Sequence, residues 1–122
     1  MRDIFLDSDF MTYIEKIDSY GVDLDFIEET SPFELIGTLV KRDELEEVKN
    51  SLTYAEKIKL AEYDEKLFNN AQKFYNAIKE VYQFQNRKPL SHWWSNIDLV
   101  VSGKLPVNFQ TTKTKSQHRA FA

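Results

Sequence analysis

The 122 residues contain no cysteine, which excludes disulfides, thiolate metal sites and a cysteine nucleophile, and makes a reducing compartment, the cytoplasm, the expected location. Glycine and proline number three each, too few turn formers for an all-β chain. The two histidines, His92 and His118, lie far apart, and the three glycines are dispersed. A histidine-rich metal centre and a Gly-rich phosphate loop are therefore not expected, and no cofactor is implied. Long apolar runs are missing too: no window approaches the roughly eighteen residues of a membrane span. The start, Met1-Arg2-Asp3-Ile4-Phe5-Leu6-Asp7-Ser8-Asp9, carries acids where a signal peptide needs an apolar stretch. The chain is expected neither to cross a membrane nor to be exported by that route.

What the chain does have is aromatic side chains and an uneven charge. Nine Phe, six Tyr and two Trp require either a dense core or an adhesive surface. Residues 1 to 65 hold eighteen of the twenty acids against seven Lys and Arg, and residues 66 to 122 hold two acids against nine, so the halves carry −11 and +7. The length suits one domain, long enough to bury roughly two-thirds of its unfolded surface. We expect that domain over residues 1–103, followed by a flexible basic tail over 104–122, where periodicity and acids both stop.

The fold class expected is all-α, a bundle of four to six helices. Ser8 or Asp9 is placed to cap a first helix with Leu6, Phe10, Tyr13, Ile14 and Ile17 on one face, and Gly21 to end it. Val22 to Thr30 reads as a short helix, although Val22, Leu24 and Phe26 also alternate with Asp23 and Asp25 as a strand would. Thr30-Ser31-Pro32 is a cap followed by proline at the first helical position, opening a short helix through Val40, with another turn or two over Asp43 to Leu52. Thr53-Tyr54-Ala55-Glu56 reads as a capping box. Beyond it nothing breaks a helix before Pro89, so a single central helix is predicted over about 54–86. Ser91 then caps a last helix carrying Trp93, Trp94, Ile97, Val100 and Val101, which Gly103 closes.

Chemistry concentrates in Arg87-Lys88-Pro89-Leu90-Ser91-His92-Trp93-Trp94. Arg87 and His92 have the Arg-x4-His spacing that resembles the signature of the HEPN ribonuclease superfamily, although Lys88, Pro89 and Ser91 depart from its pattern. The resemblance covers these two residues and the helical setting. It implies an RNA-cleaving dimer in which Arg87 stabilises the phosphate in the transition state and His92 acts in acid–base catalysis. The alternative is an interhelical corner with a solvated arginine and a capping or core histidine.

The neighbouring pair Trp93-Trp94 points in two directions about 100° apart on a helix, so one ring can enter the core while the other meets a flank or a partner. With Tyr82 and Phe84 these are the expected apolar anchors of an interface. The acids Asp23, Asp25, Glu28 and Glu29 form its expected electrostatic face, as in small inhibitors that occupy a positive groove. Nucleic acid is the other partner class, through Arg87, Lys88, Lys113, Lys115 and Arg119 beside aromatic rings. The simpler account is that the basic half pairs with the acidic half. The function expected is a non-enzymatic regulatory or inhibitory protein, of antitoxin, immunity or phage-inhibitor style, that binds another protein and has room to form a homodimer through its wide helical stripe.

Overall fold

The structure, a computed structural model, describes residues 11–108. It is all-helical, with no strand among the described residues: α1 Tyr13–Asp23, α2 Pro32–Glu47, α3 Tyr54–Asn69, α4 Ala71–Ile78 and α5 Ile97–Val101. Short 3-10 turns at Lys49–Ser51 and Trp93–Asn96 lead into α3 and α5.

Three of the starts are local chemistry. Thr12 accepts from the Glu15 N–H while the Glu15 carboxylate accepts from the Thr12 N–H, and Thr53 with Glu56 repeats this reciprocal pair at α3. Ser31 accepts from the Glu34 N–H, with Pro32 in the first turn where no N–H is needed. Ser8, Asp9, Leu6 and Phe10, expected in the first helix, lie outside the described residues.

α1 runs antiparallel to α2, as the pairs Lys16–Glu44 and Asp23–Lys41 record, and parallel to α3, as Asp18–Tyr63 and Asp25–Lys66 record. α4 packs on α2 and α5. Tyr20, Leu35, Leu45, Leu67, Phe74 and Ile97 are buried where these elements meet. Each such side chain contributes about 1.5–3 kcal/mol by leaving water.

The boundaries differ from the sequence expectations in six places. The cap of α1 is Thr12, not Ser8 or Asp9, because Thr12 has Glu15 three residues on to complete the reciprocal pair. Gly21 does not end α1. It lies buried inside it, where an added Cβ would stand 2.4 Å from the Tyr63 ring, so the position demands glycine for close approach. Val22 to Thr30 holds no helix beyond the end of α1 at Asp23; successive turn hydrogen bonds such as Asp25 N–H to the Val22 carbonyl carry the chain round. The short helix expected over 33–40 and the first part of that expected over 43–52 are one element, α2, because Thr38 and Arg42, themselves buried, find partners in Asp23 and Asp64 and continue the inward face of Leu35, Leu39 and Leu45; Lys49–Ser51 follows as a separate 3-10 turn.

The helix expected over 54–86 is two helices and a turn. Asn70 leaves the helical region at φ −112° and ψ 21°, with its side-chain amide donating to the Lys66 carbonyl, an asparagine competing with the helical ladder. α4 stops at Ile78, after which Tyr82 and Phe84 fold back, their ring centroids 4.7 Å apart and Phe84 5.8 Å from Tyr75. Ser91 makes no cap. The polypeptide enters α5 through the 3-10 turn, with buried Asn96 donating to the carbonyls of Pro89 and His92. Gly103, at φ +80°, closes α5 in the left-handed region as expected.

Candidate binding cleft

Arg42 sits on the inward face of α2 and Asp64 on that of α3, and the two meet as a bidentate pair. Nε donates to Asp64 Oδ1 at 2.8 Å and the second terminal nitrogen to Oδ2 at 2.9 Å. The remaining terminal nitrogen reaches Glu46 at 3.0 Å, and Tyr20 donates its hydroxyl to Asp64 Oδ1 at 2.7 Å. Arg42 is only 2 % exposed. Burial works against its charge, but attraction to Asp64 and the hydrogen bonds outweigh it, so the guanidinium pKa is raised. Burial, reinforced by the Asp64 charge, pushes the Tyr20 hydroxyl well above its ordinary value.

The guanidinium lies 4.0 Å from the centre of the Trp94 ring. Trp94 is buried at 1 % exposure and donates its indole N–H to Asp43 Oδ1 at 2.7 Å. The same oxygen is 3.1 Å from His92 Nδ1, which as partner of an acceptor-only carboxylate carries the proton. The imidazole stacks on Trp94 with centroids 4.8 Å apart, and Lys88 Nζ stands 3.6 Å from Asp43 Oδ2. Arg87 turns elsewhere, forking onto Asp98 at 2.8 and 3.2 Å and reaching Asn96 at 3.1 Å. Arg87 and His92 thus hold separate carboxylates. No hydroxyl bonds the His92 ring among the described residues.

Above the Arg42–Asp64 pair opens a cleft of about 560 Å³. One side is α3 with Tyr54, Lys57 and Ile58, and the other is the connection carrying Leu90, Ser91 and Trp93. Arg42, Asp64 and Trp94 reach its floor, Glu46 and Lys49 its edge, and Leu105 to Asn108 run along it. Tyr54 is 67 % exposed and Leu90 54 %, apolar surface directed into water. Trp93 is half-buried, edge-on to Phe68 at 6.2 Å and to Trp94 at 6.0 Å. Lys49 and Lys57 are exposed and take part in no ion pair among the described residues.

The other expected site residues are spread out. Tyr82 and Phe84 pack on each other and on the core. Asp23 is held by Thr38 and Lys41, and exposed Asp25 is paired with Lys66. Glu28 and Glu29 are exposed on the turn after α1, away from the cleft apart from Glu28 at a second, smaller hollow with Lys73. Lys113, Lys115 and Arg119 lie outside the described residues.

Sequence reasoning missed Arg42, Asp43 and Asp64. A signal existed: position 42 continues the inward register of Leu35, Leu39 and Leu45, and position 64 that of Leu60 and Leu67, so each puts a charge where the helix buries its face. Among the described residues no group of three His, Asp or Glu converges as metal ligands would, and no helix is long and apolar enough to cross a membrane. Compared with known proteins, the chain matches no family model, no curated protein and no solved structure.

Proposed function

We propose that this chain is a non-enzymatic regulatory or inhibitory protein that acts by binding another protein through the cleft between α3 and the Leu90–Trp93 connection. The observation that carries the reading is the division of labour around that cleft. Groups suited to proton transfer or phosphate stabilisation hold one another: Arg42 with Asp64 and Glu46, His92 and Trp94 with Asp43, Arg87 with Asp98. The surface facing water is an apolar and aromatic wall with two unpaired lysines. That combination of a half-exposed indole, an exposed phenol and an aliphatic side chain over a rigid floor is the composition of an interface anchor point.

The test is a pull-down with the tagged full chain from its native lysate, in nuclease-treated and untreated portions, comparing wild type with Leu90→Glu, Trp93→Ala and His92→Ala. The expected result is a stoichiometric protein partner that survives nuclease, is lost with Leu90→Glu and Trp93→Ala, and is retained with His92→Ala. Enriched RNA that disappears on treatment, with cleaved ends abolished by His92→Ala, would instead establish the ribonuclease that the Arg87 and His92 spacing resembles.

A further inference from the structure

We infer that the occupant of the cleft is an extended acidic segment of the partner, with an aliphatic or aromatic side chain seated between Tyr54, Leu90 and Trp93 and a carboxylate against Lys49 and Lys57. This deepens the binding reading above and rests on it. The first argument is charge. The ionised groups lining the cleft are Arg42, Lys49 and Lys57 against Glu46 and Asp64, a sum of +1. The arginine is already neutralised by its own two acids, the largely buried Asp64 and the half-buried Glu46, while the two lysines reach water unpaired among the described residues. An incoming carboxylate therefore meets cations that need not first break an internal bond, and one acid restores local neutrality.

A nucleic-acid strand brings one negative charge per nucleotide, more than two lysines compensate, and the whole chain stands at −4. A basic segment would leave both lysines facing like charge, which costs affinity and slows encounter. The second argument is shape. About 560 Å³ falls within the range of pockets that swallow a ligand the size of a few residues, and is far too small for a folded domain. The apolar lining lies on both walls, so a side chain entering between them loses water on two faces. The floor is the Arg42–Asp64 pair, fixed by two hydrogen bonds, with the Trp94 ring against the guanidinium and its indole N–H held by Asp43, so little ordering cost falls on this side of the complex.

The experiment is selection of a randomised peptide library, displayed on phage, against the immobilised full chain. Synthetic versions of the enriched peptides are then titrated by fluorescence polarisation against wild type, Lys49→Glu with Lys57→Glu, and Leu90→Glu. Both lysines are exposed, so the double variant folds, and circular dichroism checks this.

Enrichment of Asp or Glu beside Phe, Leu or Trp is expected. Affinity should fall about tenfold or more in the charge-reversed double variant and weaken steeply between about 50 and 300 mM salt. Oligo-uridine should not compete. Enriched peptides without acids, or acidic peptides indifferent to the double variant, overturn the inference, as does oligo-uridine displacing the peptide in a Leu90-dependent way. If the lysate yields a protein partner whose capture the double variant leaves intact, the binding reading stands and this occupant is wrong. If it yields only RNA, the binding reading itself fails.

Discussion

Asp64 is where one side chain matters most. It accepts from Arg42 twice and from Tyr20 once, so its removal strands a guanidinium that the fold has taken out of water. Asp64→Ala is expected to cost about 3–5 kcal/mol in urea-induced unfolding, because an unpaired buried charge loses its compensation. Arg42→Met combined with Asp64→Leu should recover most of that loss, since a buried ion pair contributes little net stability over a packed apolar pair. A double variant no better than Asp64→Ala would show that the pair is needed for the packing geometry itself.

Tyr20 adds a pH dependence of definite sign. Its folded-state pKa lies above its unfolded value, so its contribution is complete below about pH 10 and is lost as the unfolded chain releases a proton that the native state retains. Stability should decline above about pH 10 by about 1.4 kcal/mol per pH unit for this group. Tyr63 is also raised, first by burial and then by its bond to Asp18, and adds a smaller slope in the same direction. Tyr20→Phe should flatten the decline measured by urea melts across alkaline pH. An unchanged slope would assign it elsewhere.

Among the helices, the two internal glycines separate intrinsic propensity from packing. An alanine Cβ at position 21 would sit 2.4 Å from the Tyr63 ring, whose hydroxyl is held by Asp18, so the ring cannot retreat without losing that bond. Gly21→Ala is expected to destabilise by about 1–3 kcal/mol despite the better helix former. Gly37 lies inside α2, where an added Cβ meets nothing within 4 Å. Gly37→Ala should stabilise by about 0.4–1 kcal/mol by restricting the unfolded chain. Thermal melts of both variants check the pair, and equal signs would contradict the account.

The same contrast explains which elements the sequence made legible. The caps at Ser31 and Thr53 are visible because donor and acceptor lie three residues apart, and Gly103 because its turn is local. Gly21 read as a terminator because the residue that makes it necessary, Tyr63, belongs to another helix. The expected single helix over 54–86 failed for two reasons of different range. Asn70 competes locally with the backbone, whereas the end at Ile78 is set by where Tyr82 and Phe84 pack, which no spacing in the chain reveals.

Across the whole molecule, the split between an acidic and a basic half resolves into pairs made mostly inside the acidic half. Lys16 with Glu44, Lys41 with Asp23 and Arg42 with Asp64 all join residues before position 66. Lysine ion pairs that cross the division are fewer among the described residues, Lys66 with Asp25 and Lys88 with Asp43, beside the His92 and Trp94 bonds to Asp43. The expected mutual neutralisation of the halves is therefore a minor part of the assembly, and it left Lys49 and Lys57 unspent at the cleft. Of that cleft, the indole pair at 93 and 94 was legible in the sequence, one ring inward and one at the flank. Its floor was not, because Arg42 and Asp64 are joined only by folding.

This arrangement decides how salt acts on stability. The pairs crossing the halves have side chains open to water, where ions screen them and each contributes about 0–1 kcal/mol at most. The Arg42–Asp64 pair is shielded from that screening by burial. Raising sodium chloride to about 1 M should therefore shift the unfolding free energy from urea melts by no more than about 2 kcal/mol, with Asp64→Ala still costing its full amount at both salt concentrations. A loss of several kcal/mol in salt would mean that attraction between the two halves holds the fold together. The apolar contacts of α1, α2, α4 and α5 would then be its consequence and not its cause.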